Sequence, residues 1–487
     1  MNGSIIRRIL GYVLALEGLF MLLPSIVGFI YGEEETKVYI LCAVCNFLLG
    51  SLIAFKKPKN TVFYLKEGCV ATSLSWILLS VFGAVPFVIT KEIPHFINAL
   101  FETASGFTTT GASILHDVEA LSHASLFWRS FTHWIGGMGV LVFLLAVVQM
   151  SGGSNINLMK AESPGPSVGK LVPKMRYTAR ILYIIYFAMT ILEIILLVCS
   201  DMHFFDAVTL SFGTAGTGGF GIRNDSIGSY TVCQQWIITV FMLMFGINFN
   251  FYYLIVMRKI SKAFRMEEVR AYLLIILTAI AIVFIDVMKF YPTVGEALSK
   301  SAFQVASIIT TTGFSTTDFN LWPSSSKTML VMLMFVGACA GSTGGGIKVS
   351  RFIIVLKSIF KEIHSYLHPK SVRKTTLEGK PIEHDVLRAT NVYFITFMIV
   401  FSASVLLISF QDFDMTTNFT AVASTLNNIG PGLNLAGPME NFDKFNDFSK
   451  LVLTFDMLAG RLELFPMLIL FSPKLWTKAW SETKILK

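Results

Sequence analysis

Runs of roughly 20 apolar residues, the length that spans a bilayer as an α-helix, recur along the chain and limit its possible folds more than any other feature. They lie at Leu10–Tyr31, Ala71–Thr90, Phe131–Met150, Ile181–Ser200, Trp236–Met257, Ala271–Val287 and Val392–Phe410. Only 14% of the 487 residues are charged, whereas a soluble domain carries about 25%. The pattern predicts an all-α polytopic membrane protein rather than a soluble domain behind a signal peptide.

Charge is distributed unevenly along the chain, whose net charge is +8. Stretches such as Glu33–Glu35 and Glu440–Asp447 are acidic. Six other segments hold 29 of the 39 Lys and Arg but only nine of the 31 Asp and Glu: residues 1–10, 55–67, 155–180, 258–270, 348–388 and 474–487. This alternation follows the positive-inside rule. It predicts cytoplasmic termini and an even number of crossings, and it explains the basic charge without nucleic acid.

A motif built on one glycine occurs four times, at Gly111, Gly219, Gly313 and Gly430, with spacings of 108, 94 and 117 residues. The local sequences are FETASGFTTTGAS, TLSFGTAGTGGFG, FQVASIITTTGFS and TAVASTLNNIGPG. In three copies an Ala-Ser pair lies seven and six residues before the glycine. An apolar run and a short helix-like stretch precede each glycine, and another apolar run follows it. The repeat therefore reads helix, half-helix, extended loop, helix.

Four such repeats give eight crossings, and two further helices near Leu10–Tyr31 and Val38–Phe55 raise the expected number to ten. We divide the chain into an N-terminal two-helix unit and four pore repeats: residues 1–66, 67–176, 177–266, 267–370 and 371–487. The half-helices are too short to cross a membrane. Non-helical backbone at membrane depth persists only where protein buries it or water reaches it. The four loops are therefore predicted to meet around a pseudo-fourfold pore, towards the outer side.

Loops that meet in this way can form a cation site. Backbone carbonyls can replace the hydration shell of an ion, and glycine permits positive φ and close approach of backbones. Half-helices whose C-termini point inward add the negative ends of their dipoles. A simple turn is the alternative for one loop, but not for four loops in register. The predicted cation-binding residues are Thr109, Thr110, Gly111, Thr217, Gly218, Gly219, Thr311, Thr312, Gly313, Asn428, Ile429 and Gly430.

With these loops the chain resembles the Trk/Ktr/HKT superfamily of cation transporters, and within it the bacterial TrkH potassium-uptake subunits. The resemblance covers nearly the whole chain and rests on TTTGAS, TGGFG, TTTGFST, NNIGPG, RSFTHWIGGMG, GSTGGGIK and GRLELFP. It implies gated potassium uptake across the bacterial inner membrane by a homodimer with one pore in each protomer. It also implies a cytoplasmic nucleotide-binding regulatory ring of the TrkA type.

The resemblance bears on selectivity as well. All four motif positions, 111, 219, 313 and 430, carry glycine, as in potassium-selective members. Members that admit sodium often have Ser where this chain has Gly111. Potassium is expected as the transported ion, and no bound cofactor is expected. A sodium- or proton-coupled symporter and a less selective sodium/potassium carrier remain open as alternatives to simple gated conduction.

A dense run of glycines interrupts the last helix of the third repeat between Gly337 and Gly346. Each glycine weakens a helix by about 1 kcal/mol relative to Ala, so a broken segment is predicted inside the membrane, on the cytoplasmic side of the loops. A close-packing glycine face is the alternative, whereas the resemblance places a gating loop here. The candidate gating residues are Gly341, Ser342, Thr343, Gly344, Gly345, Gly346, Lys348 and Arg461.

Arg461 lies within the last predicted spanning helix. A buried arginine in a membrane faces a cavity or a partner. Just below a cation site it would repel ions, and the resemblance implies that the matching arginine faces the pore. Structural pairing between helices is the alternative, with Glu463 and Asp456 as candidate partners.

Several other polar residues fall within predicted helices. Glu17, Glu193 and Asp286 fit either an ion or proton relay or structural pairing, and His133 is interpreted as a packed polar residue rather than a metal ligand. Cys199 and Cys233 could form a disulfide near the outer face.

No constellation of a nucleophile and a base is recognisable, and the GxGxxG at residues 216–221 lacks a βαβ context, so an enzyme is not predicted. The basic segment 348–388 fits anionic membrane lipid as well as a cytoplasmic protein, and the resemblance favours the protein.

Overall fold

The computed structural model describes residues 1–56, 64–139, 175–371, 374–473 and 475. The only strands among them, β1 (Thr376–Leu377) and β2 (Lys380–Pro381), form a short antiparallel hairpin. The α-helices are α1 (Gly3–Phe20), α2 (Leu22–Tyr31), α3 (Glu35–Phe55), α4 (Leu65–Ile89), α5 (Phe96–Phe107), α6 (His123–Met138), α7 (Met175–Cys199), α8 (Phe204–Gly216), α9 (Val232–Phe245), α10 (Phe249–Val256), α11 (Ile260–Phe264), α12 (Glu267–Val287), α13 (Val294–Ile309), α14 (Ser324–Val336), α15 (Val349–Leu367), α16 (His384–Ser409), α17 (Met415–Leu426), α18 (Asp447–Arg461) and α19 (Phe465–Leu468). The predicted all-α class is confirmed.

Within the described part of the chain, six helical stretches are long and apolar enough to cross a membrane: Gly3–Tyr31, Glu35–Phe55, Leu65–Ile89, Arg180–Cys199, Glu267–Phe290 and His384–Ser409. Counting α9 and α10 as one broken span gives a seventh. We call Gly111, Gly219, Gly313 and Gly430 the ring glycines. The helices that follow them are shorter, since α6, α9, α14 and α18 contain 16, 14, 13 and 15 residues. The expected run Phe131–Met150 extends beyond residue 139, outside the described residues. The total of ten crossings therefore stays a prediction.

The run Trp236–Met257, expected as one spanning helix, is instead bent by 91° between α9 and α10. At the bend the Gly246 carbonyl accepts a hydrogen bond from Cys339 N–H at 3.0 Å, and Phe249 N–H donates to the Gly341 carbonyl at 3.0 Å. The Asn248 side chain caps the start of α10. Hydrogen bonds to a distant glycine-rich segment thus replace part of the helical ladder, which apolar periodicity does not reveal.

The order helix, short helix, loop, helix occurs four times, as α4–α5–α6, α7–α8–α9, α12–α13–α14 and α16–α17–α18. Each short helix packs between the helices that precede and follow it in its own repeat, which accounts for its burial. The predicted boundary at 266/267 coincides with the start of α12, and that at 370/371 lies between α15 and β1. The boundaries at 66/67 and 176/177 fall in the first turns of α4 and α7.

The N-terminal unit packs closely and is fastened to the first repeat. α1 contacts α3 through small residues: a Cβ on Gly50 would lie 2.3 Å from the Ala15 nitrogen. Close packing of small residues is typical of helix pairs in membranes. Beyond α2, the Glu33 carboxylate accepts the backbone N–H groups of His123 (2.7 Å) and Ala124 (3.0 Å). It thereby caps α6, where a negative charge is favourable.

Candidate ion-conduction site

The four short helices end with the same backbone hydrogen bond. In each, the amide just before the ring glycine donates to the carbonyl five residues earlier: Thr110 to Ser105 (2.9 Å), Gly218 to Gly213 (2.8 Å), Thr312 to Ser307 (2.9 Å) and Ile429 to Ser424 (2.9 Å). The preceding amide makes a second bond, to the carbonyl three residues before it. This is the Schellman motif, which satisfies carbonyls that a helix end would otherwise leave unpaired.

The left-handed residue that a Schellman motif requires is usually glycine, but here it is Thr109, Thr217, Thr311 and Asn428, with φ of 54°, 53°, 59° and 56°. Left-handed conformation in a non-glycine residue costs about 1–3 kcal/mol, and it is unusual for β-branched threonine. Two residues further on, each ring glycine also has positive φ, between 79° and 104°. Such strain in the same register of four repeats indicates a constraint imposed by function.

The four loops touch one another in a closed cycle. A Cβ on each ring glycine would lie 2.8 Å or less from a carbonyl oxygen of the next repeat, that of the residue just before the next ring glycine. The four pairs are Gly111 with Gly218 O (2.0 Å), Gly219 with Thr312 O (1.9 Å), Gly313 with Ile429 O (1.9 Å) and Gly430 with Thr110 O (2.8 Å). The structure therefore brings the twelve predicted cation-binding residues together in one ring. We call residues 109–111, 217–219, 311–313 and 428–430 the ring loops. Glycine is required because no side chain fits between neighbouring loops.

A hydrogen bond also closes the cycle between the fourth and first repeats. The Asn428 amide nitrogen donates to the Thr110 hydroxyl at 3.0 Å and to the Met457 carbonyl on α18 at 2.8 Å. The fourth loop, in which Asn428 replaces threonine, is thus attached both to the first loop and to its own following helix.

His133 on α6 supports the ring from behind. Its Nδ1 lies 2.8 Å from the Gly106 carbonyl, and its Nε2 accepts the Phe220 N–H at 3.2 Å. This pair of contacts fits a neutral ring that donates at Nδ1. A Cβ on Gly218 would lie 2.2 Å from the His133 ring, so glycine there admits the imidazole. The interpretation of His133 as a packed polar residue is confirmed.

Sequence reasoning missed a buried ion pair next to His133. Arg129 Nε lies 2.6 Å from Glu102 Oε1, and the two side chains are 3% and 0% exposed. Both residues stand in otherwise uncharged, partly apolar stretches. An isolated charge in such a stretch is costly unless it is paired, and this signal could have identified both positions.

On the side of the ring where the short helices end lies the glycine segment, which we define as residues 337–348 between α14 and α15. The chain leaves helical conformation there, as the glycine density predicts. Gly345 N–H donates to the Thr311 hydroxyl at 2.6 Å. A Cβ on Gly345 would lie 2.5 Å from the Asn427 carbonyl, and one on Gly344 3.0 Å from the Thr310 carbonyl. The segment thus covers the third and fourth loops at their helix ends.

Contacts within the segment and with α12 hold it in this position. Lys348 has φ of 71°, and its Nζ donates to the carbonyls of Gly344 and Gly345, the latter at 3.3 Å. The Glu268 carboxylate on α12 accepts the Ala340 N–H at 2.7 Å. The predicted gating residues 341–346 and 348 therefore form one compact non-helical segment rather than a glycine face between helices.

Arg461, the last residue of α18, connects this segment to the first repeat. Its Nη1 donates to the Thr343 carbonyl at 2.9 Å, and its Nη2 donates to the carbonyls of Gly136 and Gly137, the latter at 2.8 Å. These two glycines end α6, where a cation is favourable. α18 also comes close to the ring at Gly460, where glycine leaves room for the Leu426 carbonyl: a Cβ on Gly460 would lie 2.0 Å from that oxygen.

The two carboxylates suggested as partners of Arg461 bind other groups. Glu463 pairs with Arg351 on α15, whose guanidinium also lies 4.0 Å from the centre of the Tyr393 ring. Asp456 accepts a hydrogen bond from the Ser404 hydroxyl at 2.7 Å. α15 is thereby coupled to the turn that follows α18.

The remaining candidates are dispersed. Glu17 and Glu193 are buried, whereas Asp286 is only partly buried at the end of α12 and accepts the Ser326 N–H at 3.1 Å. Asp286 thus has a structural role at the start of α14, and the roles of the other two stay open. Cys199 and Cys233 are free thiols, so the disulfide considered between them is not formed.

In the loop that precedes α18, Asp443 joins the first repeat to the fourth. It lies 3.0 Å from His116 Nε2 and 3.0 Å from the nitrogen of the buried Lys450, which also contacts Asn98 at 2.8 Å. Burial alone would raise the pKa of Asp443, but hydrogen bonds from Lys450 and His116 outweigh it, and the pKa lies below the usual value. The carboxylate therefore stays ionised at neutral pH.

Together, the fold and the ring define a polytopic all-α membrane protein whose four repeats converge on one central cluster of backbone carbonyls. The chain belongs to the TrkH family, described as cation transport proteins, whose model matches residues 35–478. The expectation of a transport protein rather than an enzyme is confirmed by this membership.

Individual relatives match over almost the full length. The Trk system potassium uptake protein TrkH of Salmonella typhimurium is 33% identical, over 98% of this chain and 100% of its own. The Trk system potassium uptake protein TrkG of Escherichia coli is also 33% identical, with the same coverage. The crystal structure of the potassium transporter TrkH from Vibrio parahaemolyticus superimposes with a TM-score of 0.88 at 32% identity, covering 98% of this chain and 100% of that one.

Proposed function

We propose that this protein takes up potassium across the bacterial inner membrane, as a multi-pass protein with both termini in the cytoplasm. Full-length relatives are named potassium uptake proteins. The observation that carries the proposal is the closed cycle of ring loops, in which each ring glycine abuts a carbonyl of the next repeat. Potassium is the transported substrate and passes between the twelve ring residues.

The geometry of the ring suits a dehydrated cation. The repeats contribute carbonyl oxygens at equivalent positions, and such oxygens can replace the water around an ion. Three of the ring glycines are partly accessible, whereas the residues before them are buried. The four short helices end at the ring, so the negative ends of their dipoles point at the site.

Two elements then act in series as a gate. The glycine segment occupies the side of the ring that faces the cytoplasm in the predicted topology, and Arg461 holds it through Thr343. A fixed cation also opposes ion passage electrostatically. At about 6 Å and an effective dielectric of about 20, the repulsion is about 3 kcal/mol.

A cytoplasmic partner fits the basic segment 348–388, which leads directly away from the glycine segment. Lys348, the last residue of the glycine segment, and Arg351 are buried, so the partner would meet the other cations of the basic segment. We propose a nucleotide-binding ring of the TrkA type as this partner, and a homodimer as the assembly. The relatives' name, Trk system, supports a regulatory component.

Gly111→Ser tests the proposed conduction site. We expect the potassium-to-sodium permeability ratio to fall, because a side chain at residue 111 must push away the Gly218 carbonyl. The measurement is the reversal potential of the reconstituted protein under opposed potassium and sodium gradients. Added proton or sodium gradients in the same assay distinguish conduction from coupled symport.

Gly295→Ser is the matched control. Gly295 lies in the first turn of α13 and is exposed, and a Cβ added to it would have no other atom within 4 Å. The substitution should leave the permeability ratio unchanged. An unchanged ratio in folded Gly111→Ser protein would refute the assignment of Gly111 to the conduction site.

A further inference from the structure

The Glu102–Arg129 pair lies directly behind the first and second ring loops. Both side chains are almost completely buried. Removing two charges from water costs so much that a buried pair seldom stabilises a fold better than apolar residues would. A role in placing particular groups is therefore a better explanation for this pair than stability.

The carboxylate holds the chain that follows Gly111. Glu102 is on α5, and its Oε1 accepts the Ser113 hydroxyl at 3.0 Å, while its Oε2 accepts the Ile114 N–H at 2.9 Å. These two donors lie two and three residues after the ring glycine. The exit of the first loop from the ring is thus fixed to its own short helix.

The guanidinium holds the corresponding chain in the second repeat. Arg129 Nη1 donates to the Gly221 carbonyl at 2.8 Å, two residues after Gly219. The same guanidinium lies 3.5 Å from the centre of the Phe220 ring, in a cation–π contact. The ion pair therefore links the exits of two adjacent loops through one charged bridge.

The other repeats are built differently at the matching position. Nine residues before the ring glycine, Glu102 is replaced by Leu210, Gln304 and Ala421. Gln304 keeps a weak neutral version of the contact, 3.5 Å from the Thr316 hydroxyl, which follows Gly313 by three residues. The charged bridge is thus a feature of the first and second repeats, although the ring itself is nearly fourfold.

We propose that Glu102 and Arg129 are positioning residues that fix the separation of the Gly111 and Gly219 loops and thereby set ion selectivity. This inference rests on the proposed conduction site. The pair carries no net charge, so it adds little field at the ring while both partners are present. Loss of one partner has two effects: the loops lose a fixed spacing, and an uncompensated charge remains beside the ion path.

Three variants separate these two effects. Glu102→Gln leaves Arg129 unpaired, so it should lower the potassium-to-sodium permeability ratio and raise the half-saturating potassium concentration, the latter on the order of tenfold. In the double variant Glu102→Gln/Arg129→Gln no charge remains. Its half-saturating concentration should return towards wild type, but its permeability ratio should stay low because the contacts to Gly221 and Phe220 are lost. Glu102→Asp keeps the negative charge on a shorter side chain that cannot reach the same donors. It should lower the potassium-to-sodium permeability ratio while the half-saturating potassium concentration stays nearly normal.

Glu92→Gln is the control for a merely structural role. Glu92 also anchors α6, by accepting the Ser122 N–H at 2.7 Å, but at the end of the helix away from the ring. The Glu92→Gln substitution should lower thermal stability without changing the permeability ratio. The readouts are reversal potentials and potassium-dependent flux of the reconstituted full-length protein.

The outcomes test the positioning role of the pair separately from the proposed conduction site. If Gly111→Ser lowers the ratio while the Glu102 and Arg129 variants keep it, the pair is only structural and this inference is wrong. If Gly111→Ser has no effect either, the conduction site itself is misplaced. If Glu102→Gln does not fold, Glu102→Asp still decides the matter, since an unchanged ratio in that variant overturns the inference.

Discussion

At the scale of single residues, the threonines at the left-handed positions are chemically unequal although they are equivalent in the repeats. The Thr311 hydroxyl accepts the Gly345 N–H at 2.6 Å, whereas the buried Thr109 hydroxyl has no hydrogen-bond partner within the described residues. Among the described ring-loop side chains, that of Thr311 is therefore the one that hydrogen-bonds to the glycine segment. This difference allows the contribution of one hydrogen bond to gating to be measured.

Thr311→Val should raise basal potassium flux. Valine keeps the branched shape, but it leaves the buried Gly345 N–H without its acceptor, which costs about 1–3 kcal/mol and favours displacement of the glycine segment. Thr109→Val is the matched control, because it removes an unpaired hydroxyl at the same position of the first repeat. Equal increases in flux from both variants would show that the hydroxyls act on the ion and not on the gate.

At the scale of elements, the helices that follow the ring loops are interrupted where they approach the ring. α9 bends at Gly246–Asn248, α14 ends at Val336, and α18 ends at Arg461. Two hydrogen bonds join these interruptions: Cys339 N–H donates to the Gly246 carbonyl, and Arg461 donates to the Thr343 carbonyl. Movement of α15 can therefore be transmitted to the glycine segment and to Arg461 together.

Arg461→Ala should raise potassium flux, because both the fixed charge and the hydrogen bonds to the Thr343 and Gly137 carbonyls are lost. Control by the partner should persist, since the glycine segment remains. Deleting Gly344 and Gly345 should also raise basal flux, but it should weaken control by the partner. Uptake measured with and without the partner separates the two effects.

Arg461→Lys shows which property of the arginine matters. Lysine keeps the charge but cannot reproduce the planar set of donors, so its flux should lie between those of the wild type and the alanine variant. Wild-type flux in a folded and inserted Arg461→Ala protein would assign Arg461 to helix packing alone.

At the scale of the whole molecule, the near-fourfold ring sits in a strongly asymmetric surround. The first repeat carries the Glu102–Arg129 pair, the third carries the glycine segment, and the fourth supplies Arg461. The hairpin of β1 and β2, cytoplasmic in the predicted topology, lies beside α15, where Lys357 Nζ contacts Glu267 at 2.5 Å and the Thr376 carbonyl at 2.9 Å. A partner that binds this face would thus be mechanically close to the proposed gate.

Charge reversal at Lys361 and Lys370 should weaken binding of the cytoplasmic partner and leave ion selectivity unchanged. Lys370 is exposed and Lys361 is partly exposed, and both lie beyond the buried Lys348 and Arg351. Co-purification from detergent tests the binding. Liposomes with and without anionic lipid test whether the segment binds lipid headgroups instead. Failure to recover any partner, with complete gating by the isolated protein, would contradict the proposal.

Much of this architecture could be predicted from the sequence because it depends on local and periodic signals. Apolar runs of spanning length, alternating loop charge and four glycine motifs in register report on burial and backbone conformation near each residue. They were sufficient for the helical class, the repeat and the twelve ring residues. The break at Gly337–Gly346 was equally visible, because glycine density acts locally on helix stability.

The pairing of distant residues could not be predicted from the sequence. Glu463 binds Arg351 rather than Arg461, α9 bends because its backbone bonds to the glycine segment, and Glu102 reaches Arg129 behind the ring. Each contact joins residues far apart in the chain, and its energy depends on distance and on burial in a low-dielectric interior. Composition and spacing specify neither quantity. The composition of the ring can thus be read from local sequence signals, whereas the contacts that hold and cover the ring depend on how the repeats pack.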